Sequence, residues 1–109
     1  MTRTEESTEY RVAITFASGD TSEAAVERVF GAFYATHPEV EAVVGATERT
    51  LDVTFSFPAV GAYEALERGW EIFREAGATA GLPRALAVTH VELNAVPAEE
   101  LQQASQPVS

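Results

Sequence analysis

Strict alternation of side-chain character in two stretches is the feature that most constrains the fold of this chain. Residues 10–17 alternate between one apolar set and one set of smaller or polar side chains. The apolar set is Tyr10, Val12, Ile14 and Phe16, and the other set is Arg11, Ala13, Thr15 and Ala17. Residues 50–57 repeat this period of two, which is typical of a strand that is buried on one face. The sequence therefore predicts a sheet with one covered face and one open face.

Two segments with helical spacing lie between the predicted strands. In the first, Asp20 or Thr21 can cap a helix that ends before Pro38. The second runs from Ala59 to about Thr79 and ends at the sequence AGLP, in which a glycine precedes a proline. Its predicted buried stripe is Ala62, Leu66, Trp70, Phe73 and Gly77.

The order of elements is strand, helix, strand, strand, helix, strand, which predicts an α+β fold. Right-handed crossovers then give a four-stranded antiparallel sheet in the order 4-1-3-2, with two helices on one face. The layout resembles the ferredoxin-like βαββαβ fold over residues 9–96, and it is similar to ACT domains, to dimeric α/β-barrel proteins and to small bacterial proteins of this shape. We expect residues 1–8 to form a flexible N-terminal arm and residues 97–109 a polar C-terminal tail.

Composition excludes several classes of function. The net charge of −10, from 17 acidic and 7 basic residues, argues against nucleic-acid binding, which needs clustered cations. The absence of cysteine excludes disulfides and thiolate chemistry. No apolar run suggests a membrane span or a secretory signal, so we expect a cytoplasmic protein that does not bind membranes. The histidine and carboxylate spacings match no metal motif, and we expect neither a metal nor a cofactor.

The predicted open face consists mostly of small side chains, which suit a second layer of protein. We expect a homodimer interface there, and the acidic surface also permits a different protein partner. The candidate interface residues are Ala13, Thr15, Ala17, Val43, Thr54 and Val88. The alternative is a solvated face, because Thr and Ser are common on exposed strands.

Four polar residues on the same predicted face are candidates for ligand binding, namely Arg11, Asp52, His90 and Glu92. Alternation in the last strand places His90 and Glu92 on the open face and Val91 and Leu93 in the core. An arginine, a histidine and a glutamate together could bind a carboxylate or move a proton. The alternative is a set of polar pairs facing solvent.

We assign structural roles to two further features, His37 and the loop before the first helix. His37 stands at the end of the first helix, where a cation suits the helix dipole. The loop ASGDTSEA resembles the region where ACT-like proteins place ligands, at Ser18–Thr21, but its carboxylates repel an anion. We identify no catalytic residue and favour a non-enzymatic, self-associating interaction or accessory module. The alternatives are a ligand-binding or enzymatic dimeric α/β-barrel protein that uses the open face, and an ACT-like regulatory domain.

Overall fold

A computed structural model describes residues 7–97 of the chain. The elements are β1 (Thr8–Ala17), α1 (Glu23–Thr36), β2 (Val43–Ala46), β3 (Thr50–Ala59), α2 (Ala62–Ala80) and β4 (Val88–Ala95), with a short 3-10 turn at Pro38–Val40. The strands form one antiparallel sheet in the order β2-β3-β1-β4, which is the predicted order read from the other edge. The α+β class and the strand order are therefore confirmed. The predicted arm and tail lie almost entirely outside the described residues.

The predicted alternation in β1 and β3 is confirmed. The register pairs Val12 with Phe55 and Ile14 with Val53, so the two apolar sets share one face of the sheet. Apart from Tyr10, which is half-buried against this core, their side chains are almost completely buried in a single core.

Both helices cover that same face. The ring of Phe73 on α2 packs edge-on against Phe16, with ring centroids 5.6 Å apart. The ring of Phe33 on α1 lies 5.3 Å from that of Phe55. Because Phe16 and Phe55 belong to the buried sets of β1 and β3, the opposite face has no covering layer within residues 7–97.

Helix α1 begins at a cap that differs from the predicted one. Ser22 is the N-cap, and its hydroxyl oxygen accepts a hydrogen bond from the backbone N–H of Ala25 at 3.2 Å. Asp20 lies outside the helix and accepts from the backbone N–H of Ser22 at 3.0 Å. The expected cap at Asp20 or Thr21 is therefore displaced, because Asp20 forms a turn that presents Ser22 to the helix.

Helix α2 buries a stripe that matches the predicted one only in part, since Phe73 and Gly77 are buried whereas Leu66 and Trp70 are exposed. The side chains against the core include Ala65, Ile72, Phe73, Ala76 and Ala80. Gly69 is also buried, and a Cβ atom there would stand 3.0 Å from Cγ2 of Val12. At Gly69 the helix thus approaches β1 too closely for a larger residue. Leu66 and Trp70 are displaced to the flank of the helix, which corrects the predicted stripe.

Strand β4 contains a bulge that changes the face of its first residue. Thr15 pairs with His90, whereas the next residue, Phe16, pairs with Val88, so Thr89 has no partner on β1. The extra residue resets the alternation, and Val88 packs against the core cluster on the helix side. The placement of Val88 on the open face is therefore wrong, whereas the placement of His90 and Glu92 there is confirmed.

Candidate interaction surface

The cross-strand register arranges the open face in rows. Thr15 stands between Asp52 on β3 and His90 on β4, and Ala13 stands between Thr54 and Glu92. In the same way, the neighbours of Arg11 are Ser56 and Asn94. With strands about 4.8 Å apart, Asp52 and His90 are separated by roughly 10 Å. The structure thus brings the four candidate ligand-binding residues to one face without bringing them into mutual contact as a single cluster.

The polar contacts on this face run along β4. Nε2 of His90 lies 3.4 Å from Oε1 of Glu92, and the side-chain amide of Asn94 donates to Oε2 of Glu92 at 3.1 Å. All three residues are exposed. Such contacts between exposed groups contribute little stability. The row of three polar side chains can therefore exchange these contacts for contacts with another molecule.

The candidate interface residues on the open face differ in exposure. Ala13, Thr15 and Thr54 are half-buried by their neighbours, whereas Ala17 is exposed. Val43 is the large apolar side chain on this face, with 67% of its surface exposed. At its edge, the carboxylate of Asp52 lies over Gly45, where a Cβ atom would stand 3.0 Å from Oδ1. The open face therefore offers a shallow surface with limited apolar area.

A larger apolar surface lies on the helix side, between α2 and β4. A groove of about 680 Å³ separates the C-terminal half of α2 from the segment that enters β4. Its apolar lining includes Trp70, Phe73, Leu82, Leu86 and Val88. The arginines at its rim are Arg74 and Arg84. The helix side of the edge strand β4 is incompletely covered, since Val88 is only half-buried there and Val91 is exposed.

Exposed apolar side chains extend this groove along the flank of α2. Tyr63, Leu66 and Trp70 follow one another at intervals of three and four residues, so they share that flank. Their exposed fractions are 78%, 46% and 40%. Val91 on β4 is also 40% exposed although its side chain points to the helix side. We call the set Tyr63, Leu66, Trp70, Leu86, Val88 and Val91 the α2–β4 surface.

The sequence did not indicate this surface because the predicted buried stripe of α2 included Leu66 and Trp70. The competing signal was the small-residue series Ala65, Gly69, Ala76 and Ala80, which has the same helical spacing. Small residues on a helix permit close packing against a sheet, so this series lies against β1 and β3 together with Phe73. With the small series buried, Leu66 and Trp70 lie on the flank.

A second exposed apolar site lies on α1. Phe30 and Tyr34 of α1 stack with ring centroids 6.4 Å apart and border a groove of about 320 Å³. His37 lines that groove and contacts two carboxylates, Glu75 through Nε2 at 2.7 Å and Glu39 through Nδ1 at 3.3 Å. The contact with Glu75 links the end of α1 to α2. His37 thus has a structural role at the end of α1, with a partner, Glu75, that the sequence did not suggest.

The loop before α1 has its polar groups occupied by one another. The hydroxyl of Ser18 donates to the backbone oxygen of Asp20 at 2.7 Å. Hydrogen bonds from the hydroxyl and the backbone N–H of Ser22, together with the charge of Arg28, lower the pKa of Asp20 below its ordinary value. A carboxylate that stays ionised at this helix N-terminus competes with any anionic ligand.

Within the described part of the chain, no group of three or more histidine, aspartate or glutamate side chains is arranged to hold a metal ion. No helix in residues 7–97 is both long enough and apolar enough to cross a membrane.

Comparisons with known proteins support a resemblance at the level of the fold. No known family model matches the chain, and no curated protein sequence matches it. A REP-associated tyrosine transposase bound to a REP hairpin is similar in structure, with a TM-score of 0.50 and 8% sequence identity. The match covers 95% of this chain and 66% of the transposase chain.

Two further solved structures are less similar. The de novo designed protein Foldit4 has a TM-score of 0.40 and 14% identity, over 84% of this chain and 98% of the design. The Bacillus subtilis YXEP protein, a dinuclear metal-binding peptidase of the M20 family, has a TM-score of 0.41 and 13% identity. That match covers 84% of this chain and 26% of the peptidase. The elements and the strand order themselves define the class, which is a small α+β protein with a four-stranded antiparallel sheet and two helices.

Proposed function

We propose that this protein is a non-enzymatic interaction module that associates with a second copy of itself. The observation that supports this proposal best is the α2–β4 surface, where four large apolar side chains are at least 40% exposed. Exposed apolar side chains that form a continuous patch are typical of protein–protein contact sites. We also propose that the fold is ferredoxin-like, on the basis of its element order and its strand order.

The α2–β4 surface is a better candidate for the interface than the open face. The open face contributes Val43 as its large exposed apolar side chain, whereas the α2–β4 surface contributes two aromatic rings, a groove and an edge strand. Aromatic side chains are enriched at interfaces because each ring buries a large area with few rotatable bonds. The experiment must distinguish this arrangement from a second one, a sheet-to-sheet dimer through Ala13, Thr15, Val43 and Thr54.

The test is the mass of the chain in solution, measured by light scattering from low micromolar to millimolar concentration. We expect the mass to rise from that of a monomer to that of a dimer. We expect Tyr63→Ser to lower the affinity of the dimer and Tyr34→Ser to leave it unchanged. Both tyrosines are exposed on helices, but only Tyr63 belongs to the α2–β4 surface. A monomer throughout the series contradicts the proposed function. Equal effects of the two substitutions contradict the choice of surface.

A second candidate function is the binding of a small anionic molecule on the open face. The observation that favours it is the contact between His90 and Glu92, with Arg11 on the same face two residues along β1 from Ala13, the partner of Glu92. Isothermal titration with citrate and with benzoate tests this candidate. Binding that is lost in Arg11→Ala supports it, and the absence of heat with both compounds counts against it.

The remaining alternatives have less support. In an ACT-like protein, a ligand would contact Ser18–Thr21, where the ionised Asp20 disfavours an anion. The structural likeness to the transposase concerns the fold alone, and a net charge of −10 disfavours binding to a phosphate backbone.

A further inference from the structure

We propose that the second copy pairs with the outer edge of β4, in an antiparallel arrangement with Val91 on the two-fold axis. This inference rests on the proposed function, since it specifies how self-association occurs. Strand β4 is the last strand of the sheet, and no other strand within residues 7–97 pairs with its outer edge. An edge strand presents a row of unpaired backbone N–H and C=O groups that another strand can bind. Pairing two β4 strands would extend the sheet continuously across the dimer.

Symmetry restricts the possible registers. When a two-fold axis relates two antiparallel strands of one sheet, directly opposite residues must point to the same face. One residue then lies opposite its own copy, and its two neighbours lie opposite each other. With Val91 on the axis, His90 lies opposite Glu92 of the second copy, and the same pair recurs on the other side of the axis.

Charge complementarity selects this register from its neighbours. A histidine opposite a glutamate forms a favourable cross-strand pair, and here the pair occurs twice. An axis at Glu92 would bring two carboxylates together. An axis at His90 would bring the two imidazoles together and place Glu92 opposite Val88, so that no histidine–glutamate pair forms. An axis at Leu93 would place His90 opposite Val96, beyond the end of the strand.

The same register also brings the two α2–β4 surfaces together. Strand β3 ends at Ala59, opposite Thr8, and β4 ends at Ala95, opposite Tyr10. Helix α2 starts shortly after Ala59, so Tyr63 lies toward the end of the sheet where β4 finishes. The groove beside Val88 lies toward the opposite end.

Antiparallel pairing therefore places the Tyr63 end of one copy beside the groove of the other. Tyr63 is the most exposed of the large apolar side chains of the described residues, and the groove is lined by Trp70, Leu86 and Val88. A projecting ring and a matching groove on one chain form a self-complementary interface, which a two-fold axis uses twice. Val91 and its copy would fill the seam between the two helices.

The absence of cysteine permits a direct test by crosslinking. Opposite residues in an antiparallel pair have Cα atoms about 4.5–5.5 Å apart, within the range that a disulfide spans. We expect Val91→Cys to form a covalent dimer in a glutathione redox buffer, as seen on a denaturing gel without reductant. Leu93→Cys controls for register, since the two copies of residue 93 would be offset along the strands. Val43→Cys controls for exposure, since it lies at the opposite edge of the sheet.

The outcomes separate this inference from the proposed function. A wild-type dimer in which Val91→Cys forms no more disulfide than Val43→Cys overturns the β4 pairing and leaves self-association standing. A dimer that Val43→Cys links preferentially overturns it in favour of the open face. A wild-type chain that is monomeric at every concentration overturns both.

A charge exchange tests the register without a covalent bond. His90→Glu alone puts two carboxylates opposite each other, and Glu92→Arg alone puts a guanidinium opposite an imidazole. We expect each change to weaken the dimer about tenfold, from two altered cross-strand pairs. The double variant His90→Glu with Glu92→Arg restores opposite charges and should return the affinity toward that of the wild type. A double variant as weak as the weaker single variant contradicts the register.

Discussion

At the scale of single residues, local hydrogen bonds explain positions that side-chain type alone leaves open. Asp20, Thr21 and Ser22 are all suitable helix caps, and the sequence cannot rank them because their difference lies in the backbone conformation of the turn. In the structure, Asp20 binds the N–H of Ser22, and Ser22 caps the helix. The expected cap region was correct to within two residues, while the individual roles needed coordinates.

Asp20 leads to a prediction about stability at acidic pH. The hydrogen bonds from Ser22 lower the pKa of Asp20 in the folded chain, so the carboxylate stabilises the fold fully above the carboxyl pKa of the unfolded chain, for which the reference value is 3.8. This contribution disappears as the pH falls through the lower pKa of the folded chain. We expect Asp20→Asn to reduce the loss of unfolding free energy between neutral and strongly acidic pH, measured by urea denaturation. If the difference in unfolding free energy between the wild type and Asp20→Asn stays constant with pH, this interpretation is contradicted.

At the scale of elements, alternation and helical spacing predicted which segments become strands and helices, but they did not predict every face. The two long strands β1 and β3 were predicted correctly because a strict period of two leaves one possible buried face. The faces of α2 and of the start of β4 required long-range information. Two apolar stripes compete on α2, and only the distance to β1 decides between them. The bulge at Thr89 has no sequence signature that shows where alternation is reset.

Two glycines in helices provide a matched test of the close packing of α2. A Cβ atom at Gly31 of α1 would meet no heavy atom within 4 Å, whereas one at Gly69 of α2 would press on Val12 and Phe57. We expect Gly31→Ala to stabilise the protein by about 0.5–1 kcal/mol through helix propensity. Gly69→Ala gains the same helix propensity, but the new methyl group must displace buried side chains. We therefore expect the unfolding free energy of the Gly69→Ala variant to be about 1–3 kcal/mol lower than that of the Gly31→Ala variant. Equal stabilisation by both substitutions, measured by urea denaturation, contradicts the packing.

At the scale of the whole molecule, the proposed self-association depends on the uneven covering of the sheet. Two helices cover one face, and the helix side of β4 remains partly exposed at one edge. The sequence predicted self-association from the small side chains of the open face. The structure adds the α2–β4 surface, which sequence reasoning could not locate because its residues come from a helix flank, an edge strand and the segment between them. The ligand-binding role of Arg11, Asp52, His90 and Glu92 stays a prediction.

The most direct test of the central claim is amide hydrogen exchange in β4, resolved by NMR at low and at high protein concentration. If a second copy pairs with β4, the amide hydrogens on its outer edge become protected as the concentration rises, centred on Val91. Those of β2, at the other edge of the sheet, keep the same exchange rate. Unchanged exchange in β4 across a concentration range in which the measured mass doubles would contradict the account.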